Sequence, residues 1–190
     1  MIMKYLAQSK KEQGFTLLET LVAISILVLA ITATFSVAQN GLSSSMEARD
    51  QVIAFYLAQE AVEMVRNKRD ENSLTRIGTP STHWLSGIAE QVSDPCYFGK
   101  VCTVDAVSKV FTACPGGTGT CANVYQDTNN QSNTFGLYSQ NTAWTQTNFN
   151  REISLSQATS TEMTISVTVK WVRGLLTRTF TVQEIIRDWQ

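Results

Sequence analysis

The sequence predicts an α+β chain: a long N-terminal α-helix, hydrophobic in its first half and amphipathic in its second, packed on a C-terminal antiparallel β-sheet. Three observations predict it. No side chain from Thr20 to Met46 is ionisable. From Ala54 to Val65 apolar residues recur at helical spacing, and from Ile153 onward they alternate with polar ones. These patterns divide the 190 residues into a basic leader (1–14), a hydrophobic helix (15–46), an amphipathic helix (47–72), a loop-rich αβ region (73–148) and an antiparallel meander (149–190). A net charge of −1 and only 16% charged residues give no basic balance of the kind that makes nucleic acid the main partner.

The first helix begins with a puzzle. "GFTLLETLVAISILVLAI", residues 14–31, suits a membrane, yet Glu19 lies inside it and Lys4, Lys10 and Lys11 stand upstream. A carboxylate in a membrane-length helix costs about 2.5–3.5 kcal/mol, so Glu19 needs a purpose. A secretory signal cut after Ser36-Val37-Ala38 is one reading, and a plain anchor with its lysines in the cytoplasm is a second. Neither explains the glutamate. A third reading is a leader cut before the apolar run.

Lys10-Lys11-Glu12-Gln13-Gly14, then Phe15-Thr16-Leu17-Leu18-Glu19 and an apolar run, resembles the prepilin leader of type IV pilins and pseudopilins. That resemblance covers about the first 45 residues and carries several implications. Prepilin peptidase would cut between Gly14 and Phe15 and methylate the new amine of Phe15. Glu19 would then neutralise the amine of an adjoining subunit, a pairing strengthened by low dielectric. The family's frequent helix-breaking proline is missing; Phe35-Ser36-Val37 occupies its place and the nearest weak point is Gly41. The absence leans towards a minor pilin or a pseudopilin.

The amphipathic segment follows without interruption. Ala54, Leu57, Ala58, Ala61, Val62 and Val65 form one stripe, Glu47, Asp50, Glu60, Glu63 and Lys68 supply the other side, and Glu63 and Arg66 are spaced to pair. Asn72-Ser73, then Gly78 and Pro80, are expected to end the helix, which from Phe15 to about Asp70 would be roughly 80 Å long. Trp84 to Ile88 reads as a short packed turn, and residues 133–149 as short strands among loops.

Three half-buried strands complete the chain. Ile153 and Leu155 alternate with Glu152, Ser154 and Ser156. Met163, Ile165, Val167, Val169 and Trp171 alternate with Thr164, Ser166, Thr168 and Lys170, and Phe180 and Val182 with Thr179 and Thr181. Arg173-Gly174 marks a turn, and short connections favour an antiparallel meander. The Ala54–Val65 stripe is the natural cover for its apolar face, an arrangement that the family likeness also implies. Trp189 is expected to tuck against the domain.

Cys96, Cys102, Cys114 and Cys121 read as two disulfides, since this region lies outside if the lysines stay inside. Nested pairing, Cys96–Cys121 with Cys102–Cys114, would staple a hairpin of Val101–Val104 and Val110–Thr112; sequential pairing, Cys96–Cys102 with Cys114–Cys121, is close behind. Their five- and six-residue gaps are too wide for close zinc-ligand pairs, and no C-x-x-C supports redox catalysis. His83 is the single histidine and reads as a packing residue. Pro115 to Gly119 reads as a turn, because it lacks the Lys-Ser/Thr of a phosphate loop. No Ser-His-Asp set, paired-carboxylate motif or metal cluster stands out, so neither an enzyme nor a cofactor is expected.

The sequence therefore points to a structural subunit, of the minor kind, of a type IV pilus or related filament. Before assembly it would cross the cytoplasmic membrane once, N-terminus inside and head outside; afterwards it would lie in an extracellular filament. Its partners would be major and minor pilin subunits, prepilin peptidase, the inner-membrane assembly platform and membrane lipid. Lys170, Arg173 and Arg178, with Arg66, Lys68 and Arg69, form a solvated rim; contact with DNA phosphates, as in a DNA-uptake pilus, is the sharper reading. Asn130-Gln131-Ser132 fits the N-glycosylation pattern weakly. A minor pseudopilin of a type II secretion system, and an uncleaved membrane-anchored extracytoplasmic binding module, are the alternatives.

Overall fold

The structure is a computed structural model that describes residues 14, 16–157 and 159–188. Phe15, the leader lysines and Trp189 therefore lie outside the described residues. One helix, α1, runs from Leu17 to Gly78. Seven strands follow: β1 (Val101–Asp105), β2 (Val110–Ala113), β3 (Asn123–Gln126), β4 (Tyr138–Ser139), β5 (Thr145–Gln157), β6 (Glu162–Arg173) and β7 (Leu176–Arg187). Two compact units divide the chain between Ala48 and Arg49.

In the first unit the helix is apolar on every side. Leu17, Leu21, Val22, Ile24, Leu27, Val28, Ile31, Phe35 and Leu42 are all exposed. A helix apolar all round belongs in lipid or in a protein core, not in water. The backbone continues unbroken through Gly41, so the expected weak point does not interrupt it.

In the second unit the helix has one buried stripe. Ala54, Leu57, Ala58, Ala61, Val62 and Val65 are buried in a single cluster with Ile153, Leu155, Met163, Ile165, Val167, Val169, Trp171 and Ile186. The expected stripe and the expected strand faces thus meet. Strand β6 shows the period of two most plainly: its odd residues from Met163 to Trp171 are buried, and the even ones between them are half-buried. The helix runs past Asp70 and Asn72 and ends at Gly78, the later of the expected stops. Asn72 does not cap it; its buried amide instead donates to the carbonyls of Trp84 (3.0 Å) and Ser86 (2.9 Å). Those bonds hold the packed turn, in which Trp84, Leu85 and Ile88 are buried.

Every strand pairing is antiparallel, and the meander β5–β6–β7 forms the body of the sheet. The other edge of β5 is shared. The β1–β2 hairpin pairs with Ile153 and Ser154, and the β3–β4 hairpin pairs with the stretch from Thr145 to Asn150. A strand of 13 residues is long enough to carry both. The β6–β7 connection is the two residues Gly174 and Leu175 between paired Arg173 and Leu176. Gly174 takes φ +60°, the left-handed conformation that a tight hairpin requires at its first turn position.

The disulfides are Cys96–Cys102 and Cys114–Cys121, which corrects the favoured nested pairing. Register explains the outcome. Cys102 sits opposite Ala113, while the Cys114 amide bonds to the Val101 carbonyl, so Cys102 and Cys114 belong to successive rungs. Successive residues of a strand point to opposite faces. A bond between those two sulfurs would have to pass through the hairpin.

Glu152 also departs from expectation. Alternation places it on the solvent face, yet it is buried, because the loop closed by Cys114–Cys121 covers that face. Its carboxylate accepts from the Gly119 amide (2.5 Å) and from Lys170 Nζ (2.8 Å). Asn150 donates to the carbonyls of Cys121 and Ala122 from the same side. Nearby, hydrogen bonds from Thr134, Ser132 and the Asn129 amide hold the Asp127 carboxyl below its ordinary value and shape the loop after β3.

Arg151 is the least expected core residue. It occupies an inward position of β5 and is fully buried. Its Nη1 donates to the Leu57 carbonyl (3.0 Å) and to Glu60 Oε2 (2.5 Å), and its Nη2 to the Val104 carbonyl (2.5 Å). One guanidinium thereby ties the helix, β5 and β1. Replacing Arg151 with Ala should cost about 3 kcal/mol, the low end for breaking a buried pair because Glu60 keeps some access to water. Denaturant unfolding of the purified chain checks this, and a loss below about 1 kcal/mol would deny Arg151 that tie.

Candidate functional site

The helix start is built from three residues. Thr16 precedes the first helical turn, and its Oγ1 accepts a hydrogen bond from the Glu19 amide (3.2 Å). The Thr16 carbonyl accepts from the Thr20 amide (3.2 Å). Thr16 is therefore the N-cap, and Glu19 stands three residues later, in the first turn, where the helix dipole favours a negative charge. Thr-x-x-Glu before an apolar run is the sequence signature of a capping box. The pattern is visible in residues 16–19, although the apolar run and the odd carboxylate draw the eye first.

Past this turn the helix carries hydroxyls that suit an apolar solvent. Thr20 donates to the Leu17 carbonyl (2.9 Å) and Ser25 to that of Leu21 (2.8 Å). Thr32 bonds to the carbonyls of Val28 and Leu29, and Thr34 to those of Ala30 and Ile31. Each of these hydroxyls is satisfied within its own helix, as a group facing hydrocarbon must be. Among the described residues, α1 is the one helix long and apolar enough to cross a membrane.

The remaining sequence candidates find local roles. His83 Nδ1 accepts from the Leu85 amide (3.1 Å) and so belongs to the packed turn. Lys170 pairs with Glu152, and Arg173 with Asp50 (2.9 Å). At the helix end, Arg66 pairs with Glu63 and Glu184, Lys68 with Glu71, and Arg69 with Asp70. The basic rim is thus threaded with carboxylates, which weakens its attraction for phosphate. Residues Pro115 to Gly119 form the turn beneath which Glu152 is buried. Among the described residues, no three His, Cys, Asp or Glu side chains gather around a point that could hold a metal ion. A groove of about 600 Å³ between α1 and the β1–β2 hairpin is lined by Met64, Asn67, Lys68, Glu71, Lys109 and Phe111, with no histidine or cysteine among them.

Residues 9–35 match the family model described as the prokaryotic N-terminal methylation motif. The match spans Gly14, Phe15, Thr16 and Glu19 and reaches Phe35, within the apolar helix. No curated protein and no solved structure matches the chain. The chain thus carries a prepilin-type leader motif, followed by a long apolar helix, on a pilin-like α+β fold.

The cap can be tested separately from any role in assembly. Thr16→Ala should cost about 1 kcal/mol at the helix start, which is roughly a fivefold faster amide exchange at Glu19. Exchange measured by NMR in detergent micelles reads this directly. Unchanged exchange would mean that the hydroxyl does not cap.

Proposed function

We propose that this chain is a structural subunit, of the minor kind, of a type IV pilus or related filament, and that it performs no chemistry. One observation carries the reading: the methylation motif at 9–35 runs straight into a capped helix that is apolar all round, with a carboxylate in its first turn. In this reading prepilin peptidase cuts between Gly14 and Phe15 and methylates Phe15. The lysines keep the leader in the cytoplasm, and the helix holds the chain in the inner membrane with the head outside. The assembly platform then moves the subunit from lipid into the filament beside other pilins.

Cutting gives Glu19 its partner. Removal of residues 1–14 leaves a cationic amine at the membrane-facing end of the helix, where an uncut chain offers none. The Glu19 carboxylate of a neighbouring subunit attracts that amine strongly in a medium of low dielectric. Only cut subunits then fit the stack at the correct height. The disulfides Cys96–Cys102 and Cys114–Cys121 suit a head that faces an oxidising exterior.

Mass spectrometry of the chain from the cell that makes it should find an N-terminus at methylated Phe15. An intact Met1 or a start at Gln39 would overturn the reading. Glu19→Val should leave membrane insertion and cleavage intact while incorporation into filaments falls; undiminished incorporation would remove the pairing role.

A further inference from the structure

The face of the sheet that α1 leaves uncovered brings together three side chains of complementary chemistry. Asn150 of β5 and Lys170 of β6 are direct cross-strand partners, and Glu152 shares their face two residues further along β5. Lys170 Nζ donates to Glu152 Oε2 (2.8 Å), and the side chains are 30% and 5% exposed respectively. Asn150 is held from its other end. Its Nδ2 donates to the carbonyls of Cys121 and Ala122, where the loop closed by Cys114–Cys121 rejoins the sheet. Its Oδ1 is buried and meets no donor among the described residues. Buried polar atoms are nearly always satisfied, so this exception calls for a chemical reason.

Each group supplies what another lacks. A lysine amine attacks only when neutral, and Glu152 is within hydrogen-bond reach to take its proton. Glu152 then carries an O–H, the donor that Asn150 Oδ1 is missing, and a hydrogen bond there makes the amide carbon Cγ more electrophilic. The two carbonyls around Nδ2 suit a nitrogen that gains protons as it leaves. Directly opposed residues hold their Cβ atoms only about 4.5–5.5 Å apart, a gap that a lysine chain spans with slack. Fixed neighbours also replace a chance encounter by an internal step.

We propose that Asn150 and Lys170 form a self-modification site, at which an isopeptide bond joins Lys170 Nζ to Asn150 Cγ with Glu152 as the proton carrier. The Nζ–Cγ bond forms and the Cγ–Nδ2 bond breaks. Two protons of the lysine ammonium pass by way of Glu152 to Nδ2, which departs as ammonium; the third stays on the new amide. Glu152 begins and ends as a carboxylate, and no oxidant or reductant takes part. The new N–H replaces the ammonium as a donor to Glu152, which keeps the Gly119 amide as well. The bond would tie β5 to β6, strands otherwise held together by their hydrogen-bond ladder. It forms once, within the chain, so a structural subunit gains a cross-link without turning over any substrate. Nothing in it depends on the filament reading.

The test is the mass of the full chain, purified in detergent from the cell that makes it and reduced. The wild-type chain should be lighter by one ammonia than its composition requires. Fragmentation should place that loss in a bridge between residues 150 and 170, and trypsin should fail to cut after Lys170. Lys170→Arg keeps a cation beside Glu152 and should carry its full mass, as should Glu152→Gln. A wild-type chain of full mass overturns the proposal. So does an ammonia loss that persists in either variant, since an asparagine also loses ammonia by closing on its own backbone.

Discussion

Close burial of one sheet face under one narrow helix stripe is the constraint on which the head depends. Three of the six stripe residues are alanines, Ala54, Ala58 and Ala61, and all six are buried. Small side chains let the helix axis settle near the sheet, where Met163, Ile165, Val167, Val169 and Trp171 fill the space between. The meander alone would present that face to water, and the helix alone would present its stripe. Each supplies the surface that the other needs, at roughly 1.5–3 kcal/mol for each large apolar side chain removed from water. Ion pairs then fix the register along the seam: Asp50 with Arg173 near one end, Arg66 with Glu184 midway, and Arg76 with Asp188 near the other.

Much of this was legible, and the reasons are physical. Period two in β6 and the 3–4 spacing of the stripe are direct consequences of strand and helix geometry, so residues 54–65 and 163–171 could be read from the text. The disulfide pairing could not, because it depends on which hairpin face each cysteine occupies, and a one-residue shift of register reverses the answer. Glu152 misled for a related reason. Alternation shows which residues share a face but not whether a loop later covers it, and the loop from Cys114 to Cys121 does. Arg151 broke the apolar pattern outright. Its three acceptors come from Leu57, Glu60 and Val104, residues far apart in sequence, and no local spacing announces such a meeting. At the helix start the reverse holds: Thr16 and Glu19 form a purely local motif, present in the text and overshadowed by the stronger signal beside it.

One continuous helix serves two different solvents. Up to about Met46 it has no preferred side, and from Arg49 onward it has a buried stripe and a charged flank. No proline divides these regimes, and Gly41 leaves the backbone ladder intact. A helix so built keeps its own hydrogen bonds in any surroundings. It can therefore leave lipid for a protein environment without refolding, with only the atoms around its side chains being exchanged. Under the proposed filament role, that property is what extraction from the membrane would require.

Local stabilisation of the helix start and pairing with a neighbour are two explanations of why Glu19 is there. An N-cap interaction is worth about 1 kcal/mol, and Thr16 already provides it through its own hydroxyl. The helix dipole adds roughly 0.3–1 kcal/mol for an anion in the first turn. At the centre of an apolar span a carboxylate costs about 2.5–3.5 kcal/mol, whereas Glu19 stands in the first turn, at the edge of the span, where the deficit is smaller. A residue such as Ala, Leu or Val would carry no such deficit and would leave Thr16 free to cap. In the proposed filament role the compensation comes from a charge outside the helix, the amine that removal of the basic leader would create. On that proposal the pairing would also be a selection rule, since an uncut chain in the same place would leave the carboxylate unpaired. The glutamate that is costly in a permanent anchor would then make the helix a discriminating building block.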